Sequence, residues 1–529
     1  MSSNVKSSRR DALKIVGSAV GGLVVGAAVG YLAKPAEVLE KTVTSTAPGQ
    51  VTTVTSRETI TRTVTAGTPT VTTTPTTPTT VTTPTTVVTT PTTPTKTIKP
   101  GKITFWQSET YKPTADAFAK LAEYFSKKYP GSSIDISVLS WGDVSPKLSS
   151  ALAAGAPPEV AMGTFWWESK FADMGVQMIL DDLYDYFGDV YDFIKDLCYY
   201  KGHYYVFDCT IAEDILIVRK DLWEEYVGMP WPGLKRRLTW SEWLTALDQL
   251  TRPEKGLWGI DLAGKTLFFI LQDIWMPVGS AGGSWYDDQG RINLDNDIVI
   301  KALEFYADQA KHCPPGWEGR DYLDTFSSLA TERVAAIYGW PRGIAYIKQY
   351  ARPEIADQEH FGVILKPAPP NGIDFTQIDD NTWHVFTNSK NPELGKEWVK
   401  FINETENYVE WCKTVPLQLL PVRKEANKIL REVAAKDFEE WSTWYEVQMY
   451  YIEKGVALPP MGFKKLKIDG EYLWDFHLPY VFELHESGII SDMAMDVALR
   501  GKAPEDAARD AQKRAVEFLL QKGYKDYVP

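Results

Sequence analysis

The stretch KITFWQSETYKPTADAFAKLAEYFSKKYPGSSIDISVLSW, residues 102–141, holds one full period of the pattern on which the folded part of the chain is built. An apolar run of β-forming residues, KITFW, gives way to polar ones. Phe118, Leu121 and Phe125 then recur at helical spacing until Pro130-Gly131 stops the helix. SIDISVLSW reads as a second strand, and PKLSSALAAGAPPEVAMGTF repeats the order of helix, Gly/Pro stop and strand. Such β-α-β order predicts an α/β domain with a largely parallel sheet, whose ligands bind beyond the C-terminal ends of the strands.

Outward from this core the composition changes sharply. All 19 Trp of the 529 residues lie after position 100. Residues 1–100 carry ten Lys or Arg against four Asp or Glu, a net of +6, so the overall −13 leaves −19 on the remainder. An acidic domain without a cationic face is a poor nucleic-acid binder, because phosphate contacts need clustered Lys and Arg. Near the N-terminus, SSRRDALK precedes Ile15 to Leu32, eighteen residues without a charge. A basic region before an apolar run is the pattern of an export signal, and Arg9-Arg10 gives it twin-arginine character. No Cys precedes Cys198, which excludes a lipid-modified N-terminal cysteine, so residues 1–40 are expected to stay as a membrane anchor. Residues 41–100 contain 29 Thr interleaved with Pro and Val, as in VTTTPTTPTTVTTPTTVVTTPTTPT (71–95). Proline-rich chains of this kind extend rather than pack, so the segment is expected to be a disordered, mucin-like stalk.

Enzyme readings find little support. GIDLAGKT (Gly259–Thr266) satisfies the G-x-x-x-x-G-K-T phosphate-loop pattern. Its own WGIDLA reads as the strand that should instead precede such a loop, and no apolar run ends in a partner Asp. A secreted glycoside hydrolase would need two carboxyls about 5–10 Å apart across a scissile bond. The pairs Asp181-Asp182, Asp287-Asp288 and Asp379-Asp380 are adjacent residues of turn character instead. Six scattered His and the absence of a zinc or EF-hand spacing predict no metal and no cofactor. Cys198, Cys209, Cys313 and Cys412 allow three disulfide pairings in an oxidising exterior, none singled out. Asn403-Glu404-Thr405 is the one N-glycosylation sequon.

ITFWQSE, KLSSALAAGAPPEVAMGTFWW and FADMGVQMILDDLYDYF together resemble the first lobe of the family 1 extracellular solute-binding proteins, the maltose-binding-protein-like receptors of ABC importers. The resemblance continues in order through KGHYYVFDCTIAEDILIVRKDLWEE (201–225), LTWSEW (238–243), GGSWYDDQGRINLDNDIVIKALEFYAD, NTWHVFTNSKNPELGKEWVKFI and LRGKAPEDAARDAQKRAVEFL. It implies a two-lobed periplasmic-binding-protein-like (type II) fold with hinge crossings. Lobe 1 would span 101–209 and about 377–435, and lobe 2 about 210–376 and 436–529. It also implies a non-enzymatic monomer that captures a carbohydrate, an oligosaccharide above all, in the interlobe cleft and hands it to ABC permease subunits at the outer face of the membrane. A peptide or another polar solute in the same fold, or a secreted hydrolase, are the alternatives. In sugar-binding members aromatic faces stack on pyranose rings while polar side chains take hydroxyls. The matching positions here are Trp106 in the first strand, Glu109 and Thr110 after it, and Thr164, Phe165, Trp166 and Trp167 after VAMG. Asp208 and Glu213 lie at the first crossing. Trp275, Trp340 and Trp383 follow in the second half, with Tyr472 and Trp474 near the C-terminus. In a strand, Trp166 and Trp167 would point to opposite faces, one to the core and one to a cleft. The aromatic helical segment 438–455 is additional to the family pattern.

Overall fold

The structure, a computed structural model, describes the backbone of Val38–Ala47, Gln50–Thr59 and residues 98–529 apart from 165–166, 454–455, 458–465, 469–470 and 474–477. Side chains are described for 98–451 and 478–529, except 165–166, 193 and 379–380. The signal segment and most of the stalk lie outside the described residues. Within the Thr-rich region, Val38–Ala47 and Gln50–Thr59 pair antiparallel with Ala47 opposite Gln50. The sequence there alternates β-branched Val and Thr, which favour strand pairing, ahead of the Pro-rich repeats. The pairing interrupts the extended spacer expected from residue 41.

Residues 98–529 form two α/β lobes. The first is built on a five-stranded sheet in the order Ser133–Val138, Lys102–Gln107, Val160–Gly163, Ile378–Val385, Val206–Glu213. Its first three strands are parallel, and Ile378–Val385 runs antiparallel to both neighbours. Four of the five strands thus run one way, as the β-α-β order predicts, and the one reversed strand, returning from the second lobe, lies between Val160–Gly163 and Val206–Glu213. Helix Lys112–Lys128 buries Phe118, Leu121 and Phe125 on the spacing legible in the sequence, and Gly131 takes φ +83° just past its end. At the centre Phe105 meets Phe118, Trp383 and Trp398 edge-on at 5.4–5.6 Å between ring centroids, a preferred aromatic geometry.

The second lobe holds a three-stranded antiparallel sheet, Ala336–Gly339, Ile215–Arg219, Phe361–Ile364. Helices Leu267–Ser280, Asp297–Ala310, Ile489–Ala498 and Pro504–Gln521 pack against one another beside it. The aromatic segment finds its place here. Helix Ser442–Glu453 lies on strand Phe361–Ile364, with Trp444 donating its indole N–H to the Phe361 carbonyl at 2.8 Å.

Two of the chain's passages between lobes lie side by side, and a third, between Leu420 and helix Ser442–Glu453, carries the chain back to lobe 2. Glu213 ends a strand of the first sheet and Ile215 starts one of the second, so Asp214 alone forms the first crossing. Asp214 N–H donates to Gln377 O of the return crossing (3.0 Å), and Thr376 Oγ1 donates to Asp214 O (2.5 Å). The buried Lys366 ammonium pairs with the Asp214 carboxylate and reaches Thr376 Oγ1 at 2.7 Å. Burial pushes the Asp214 carboxyl up to about 6 and the Lys366 ammonium down, with each partner opposing the other's shift.

All four cysteines are buried and none forms a disulfide. Asn403 of the sequon is fully buried and donates Nδ2–H to Val399 O at 2.7 Å, which closes it to glycosylation in the folded chain. No helix among the described residues is long and apolar enough to cross a membrane.

Candidate functional site

Loops at the strand ends of both lobes meet across the cleft. Glu109 follows strand Lys102–Gln107 and Thr164 follows Val160–Gly163, while Trp340 and Arg342 follow Ala336–Gly339. They line one cavity together with Trp141, Phe268, Phe269, Tyr322 and Gln418. Phe269, Tyr322 and Trp340 also wall a second cavity running into lobe 2, where Asp214, Asp261, Ala263, Gln272, Asp273, Thr325 and Tyr338 complete the lining. The volumes are about 20 and 10 Å³, room for about one water each. A pyranose ring can therefore enter only if the lobes separate. Pro341 and Leu417, beside Arg342 and Gln418 in the chain, border a wider groove of about 350 Å³ that also takes in Tyr111, Lys348 and Thr414.

One ion pair joins the lobes inside the cleft. Arg342 Nη2 donates to Glu109 Oε2, with the two side chains only 7% and 2% exposed. Burial disfavours the guanidinium charge, but Glu109 and Tyr322 more than offset this and raise its pKa. Gln418 Oε1 accepts the Arg342 backbone N–H at 3.2 Å, tying the loop of one lobe to the other. Around this pair stand buried polar atoms without a protein partner: Thr164 Oγ1, Trp340 Nε1, both amide atoms of Gln272 and Asp273 Oδ2. Aromatic faces beside unpaired donors and acceptors can hold a polyhydroxylated ring, since each unmade hydrogen bond costs about 1–3 kcal/mol until a ligand supplies it.

The positions singled out in the sequence divide accordingly. Glu109, Thr164 and Trp340 come together in the cleft. Thr110 is exposed beside Glu109, and Trp106 packs half-buried against the first-lobe core. Trp383 and Trp275 are not at the cleft. The first is fully buried among Phe105, Phe118 and Trp411, and the second packs on Trp285 and Phe375. Asp208 and Glu213 are fully buried in the strand leading to the crossing and line neither cavity. The strand before Trp167 ends at Gly163, so pleat alternation does not extend to it; its ring sits on His384, Phe171 and Phe482 at the start of helix Glu168–Asp173. Phe165, Trp166, Trp474 and the Tyr472 side chain lie outside the described residues.

The sequence did not single out Trp141, Phe268, Phe269, Tyr322, Arg342 or Gln418. Two signals were available. Arg342 lies two residues past Trp340 in IYGWPRG, and Phe268-Phe269 come one residue after the phosphate-loop match. That match is not a phosphate loop, because its amides are already spent. The N–H groups of Gly259 and Ile260 donate to His312 O, that of Asp261 to Ala336 O and that of Lys265 to Arg320 O. Thr266 Oγ1 donates to Asp321 at 3.1 Å.

Known proteins share this architecture. The solute-binding protein of Thermotoga lettingae solved with α-D-tagatose superposes with a TM-score of 0.64 at 20% identity, over 79% of this chain and 99% of that one. Maltose-bound T. maritima MalE3 gives the same values. Among curated relatives, the putative ABC transporter periplasmic-binding protein YcjN of Escherichia coli is 21% identical over 55% of this chain, and the mannitol-binding protein of Pseudomonas aeruginosa 20% over 48%. The aligned regions span 62% and 58% of those relatives' own lengths. Their fold is that of non-enzymatic binding proteins, two lobes about a cleft. Residues 111–409, more than half of the chain, match the family described as bacterial extracellular solute-binding protein, and the chain belongs to that family.

Proposed function

We propose that this protein is an extracellular receptor that closes its two lobes on a carbohydrate, an oligosaccharide above all, and delivers it to an ABC import permease. The observation that carries the reading is the interlobe cavity, where Trp141, Phe268, Tyr322 and Trp340 offer ring faces around Glu109, Thr164, Arg342 and Gln418. Aromatic walls bury sugar C–H faces at a low cost in conformational freedom, and the polar atoms between them suit hydroxyls. The relatives named for mannitol, tagatose and maltose are in keeping with such a ligand. Ligand capture stabilises the closed arrangement because contacts to both lobes exist only there. The receptor acts as a monomer, held at the outer face of the membrane by residues 1–40 through the Thr-rich segment. Phe165, Trp166, Tyr472 and Trp474 are ligand contacts on the resemblance alone.

The test is a titration of tryptophan fluorescence against mono- and oligosaccharides, with short peptides as controls, followed by analysis of the recovered ligand. Saturable change with a sugar recovered intact supports the reading. Turnover of the sugar, or response to peptides alone, overturns it.

A further inference from the structure

The inner cavity of lobe 2 carries a carboxyl that has no ion-pair partner of its own among the described residues. Three acids line it, and two have cations: Asp214 pairs with Lys366, and Asp261 Oδ2 takes Arg320 at 2.5 Å. Asp273 is 9% exposed, its Oδ2 has no hydrogen-bond partner, and among the described residues no cation forms an ion pair with it. Burial, with the Asp214 charge adding to it, holds this carboxyl well above the usual range, although the Lys366 ammonium, shared with Asp214, and the Ala263 backbone N–H pull the other way. A buried carboxylate without a counter-charge is costly unless a ligand brings one.

The surroundings narrow the kind of counter-charge. No group of three or more His, Cys, Asp or Glu among the described residues can hold a metal ion, which disfavours a divalent cation. Gln272 Oε1 and Asp261 Oδ1 are further buried acceptors without a partner on the same cavity. Three such acceptors match the three N–H groups of a primary ammonium, whereas a quaternary ammonium has none to give. The rings of Tyr322 and Trp340 stand on the same wall and attract cations through their faces. The unpaired donors Gln272 Nε2 and Trp340 Nε1 remain for hydroxyls.

We infer that the Asp273 pocket is a subsite for a protonated primary amine, so that the ligand class is an amino sugar or an oligosaccharide containing one. This rests on the carbohydrate reading above. Closing the lobes would set the amine against Asp273 and the adjoining sugar ring against Tyr322 and Trp340.

The experiment is calorimetric titration of the full chain with matched pairs: glucosamine, galactosamine, mannosamine and the β-1,4 glucosamine dimer, each against its neutral parent. At least one amine is expected to bind about tenfold or more tighter than its parent, and D273N to remove that preference, weakening the amine by more than its neutral parent. Equal or tighter binding of the neutral sugar in every pair overturns the amine subsite and leaves the carbohydrate receptor standing. Binding of neither member of any pair overturns both. Should D273N fail to fold, the matched pairs on the unaltered chain still decide.

Discussion

Glu109 and Arg342 set the balance between open and closed lobes. Removing one member of a buried ion pair strands the other charge, at about 3–5 kcal/mol where it has no escape. Here it has one, since opening the cleft returns Arg342 to water. E109Q is therefore expected to enlarge the radius of gyration of the ligand-free protein in small-angle scattering while its unfolding midpoint barely moves. A drop in midpoint at unchanged radius would place the pair in the fixed core instead. His384 acts differently. Fully buried, it accepts from the Gln177 amide at Nδ1 and donates Nε2–H to Thr164 O at 3.1 Å, and burial pulls its pKa down to about 3. A folded pKa below the unfolded value of about 6.5 gives stability that is complete above pH 6.5 and lost as the pH falls toward 3. The loss is about 1.4 kcal/mol per pH unit for one histidine. Asp214, Glu168 and Asp273, held high by burial, titrate with the opposite sign, so the whole-protein profile mixes both. The difference between wild type and H384N isolates the histidine. Wild type should lose about 2 kcal/mol relative to the variant between pH 6.5 and 5 in urea unfolding.

Helix Leu267–Ser280 carries much of the site, with Phe268, Phe269, Gln272 and Asp273 facing the cavities and Trp275 and Val278 in the core. Its position depends on close contact near its end, where a Cβ on Gly279 would lie 2.3 Å from the Phe375 ring. G279A must push the helix away from the return crossing. A loss of about 1–3 kcal/mol is expected, with weakened ligand affinity although residue 279 lines neither cavity. Unchanged affinity in a folded G279A would mean that the helix does not set the site. Elements such as this one mark where the sequence was legible. The Lys102–Trp141 period could be read because apolar spacing and Gly/Pro stops are local signals, whereas the pairing of lobes was legible only through the family resemblance. Trp340 and Trp383 could not be told apart, because both stand in short aromatic-polar strings. Only packing from distant segments, Phe105 and Trp411 in one case and Tyr322 in the other, decides which ring is core and which is wall. Gln418 is a starker case, a polar residue inside PLQLLP that reaches the cleft only because its loop crosses to Arg342.

At the scale of the whole molecule the two adjacent crossings act as one unit of the hinge, bonded to each other through Asp214, Gln377 and Thr376 and locked by Lys366. K366M should cost about 3–5 kcal/mol in unfolding free energy, because it leaves the buried Asp214 carboxyl without its cation. A cost below 1 kcal/mol in urea unfolding would show that the carboxyl is simply neutralised by a proton. The same layout governs the order in which a growing chain can fold. The first three strands of lobe 1 are complete by residue 163, yet the gap between Val160–Gly163 and Val206–Glu213 is filled only by Ile378–Val385. The last strand of the lobe 2 sheet, Phe361–Ile364, is translated earlier. As the ribosome delivers this protein, the sheet begun first is closed last. Its exposed inner edges must be kept from pairing with other nascent chains for more than 160 residues of synthesis.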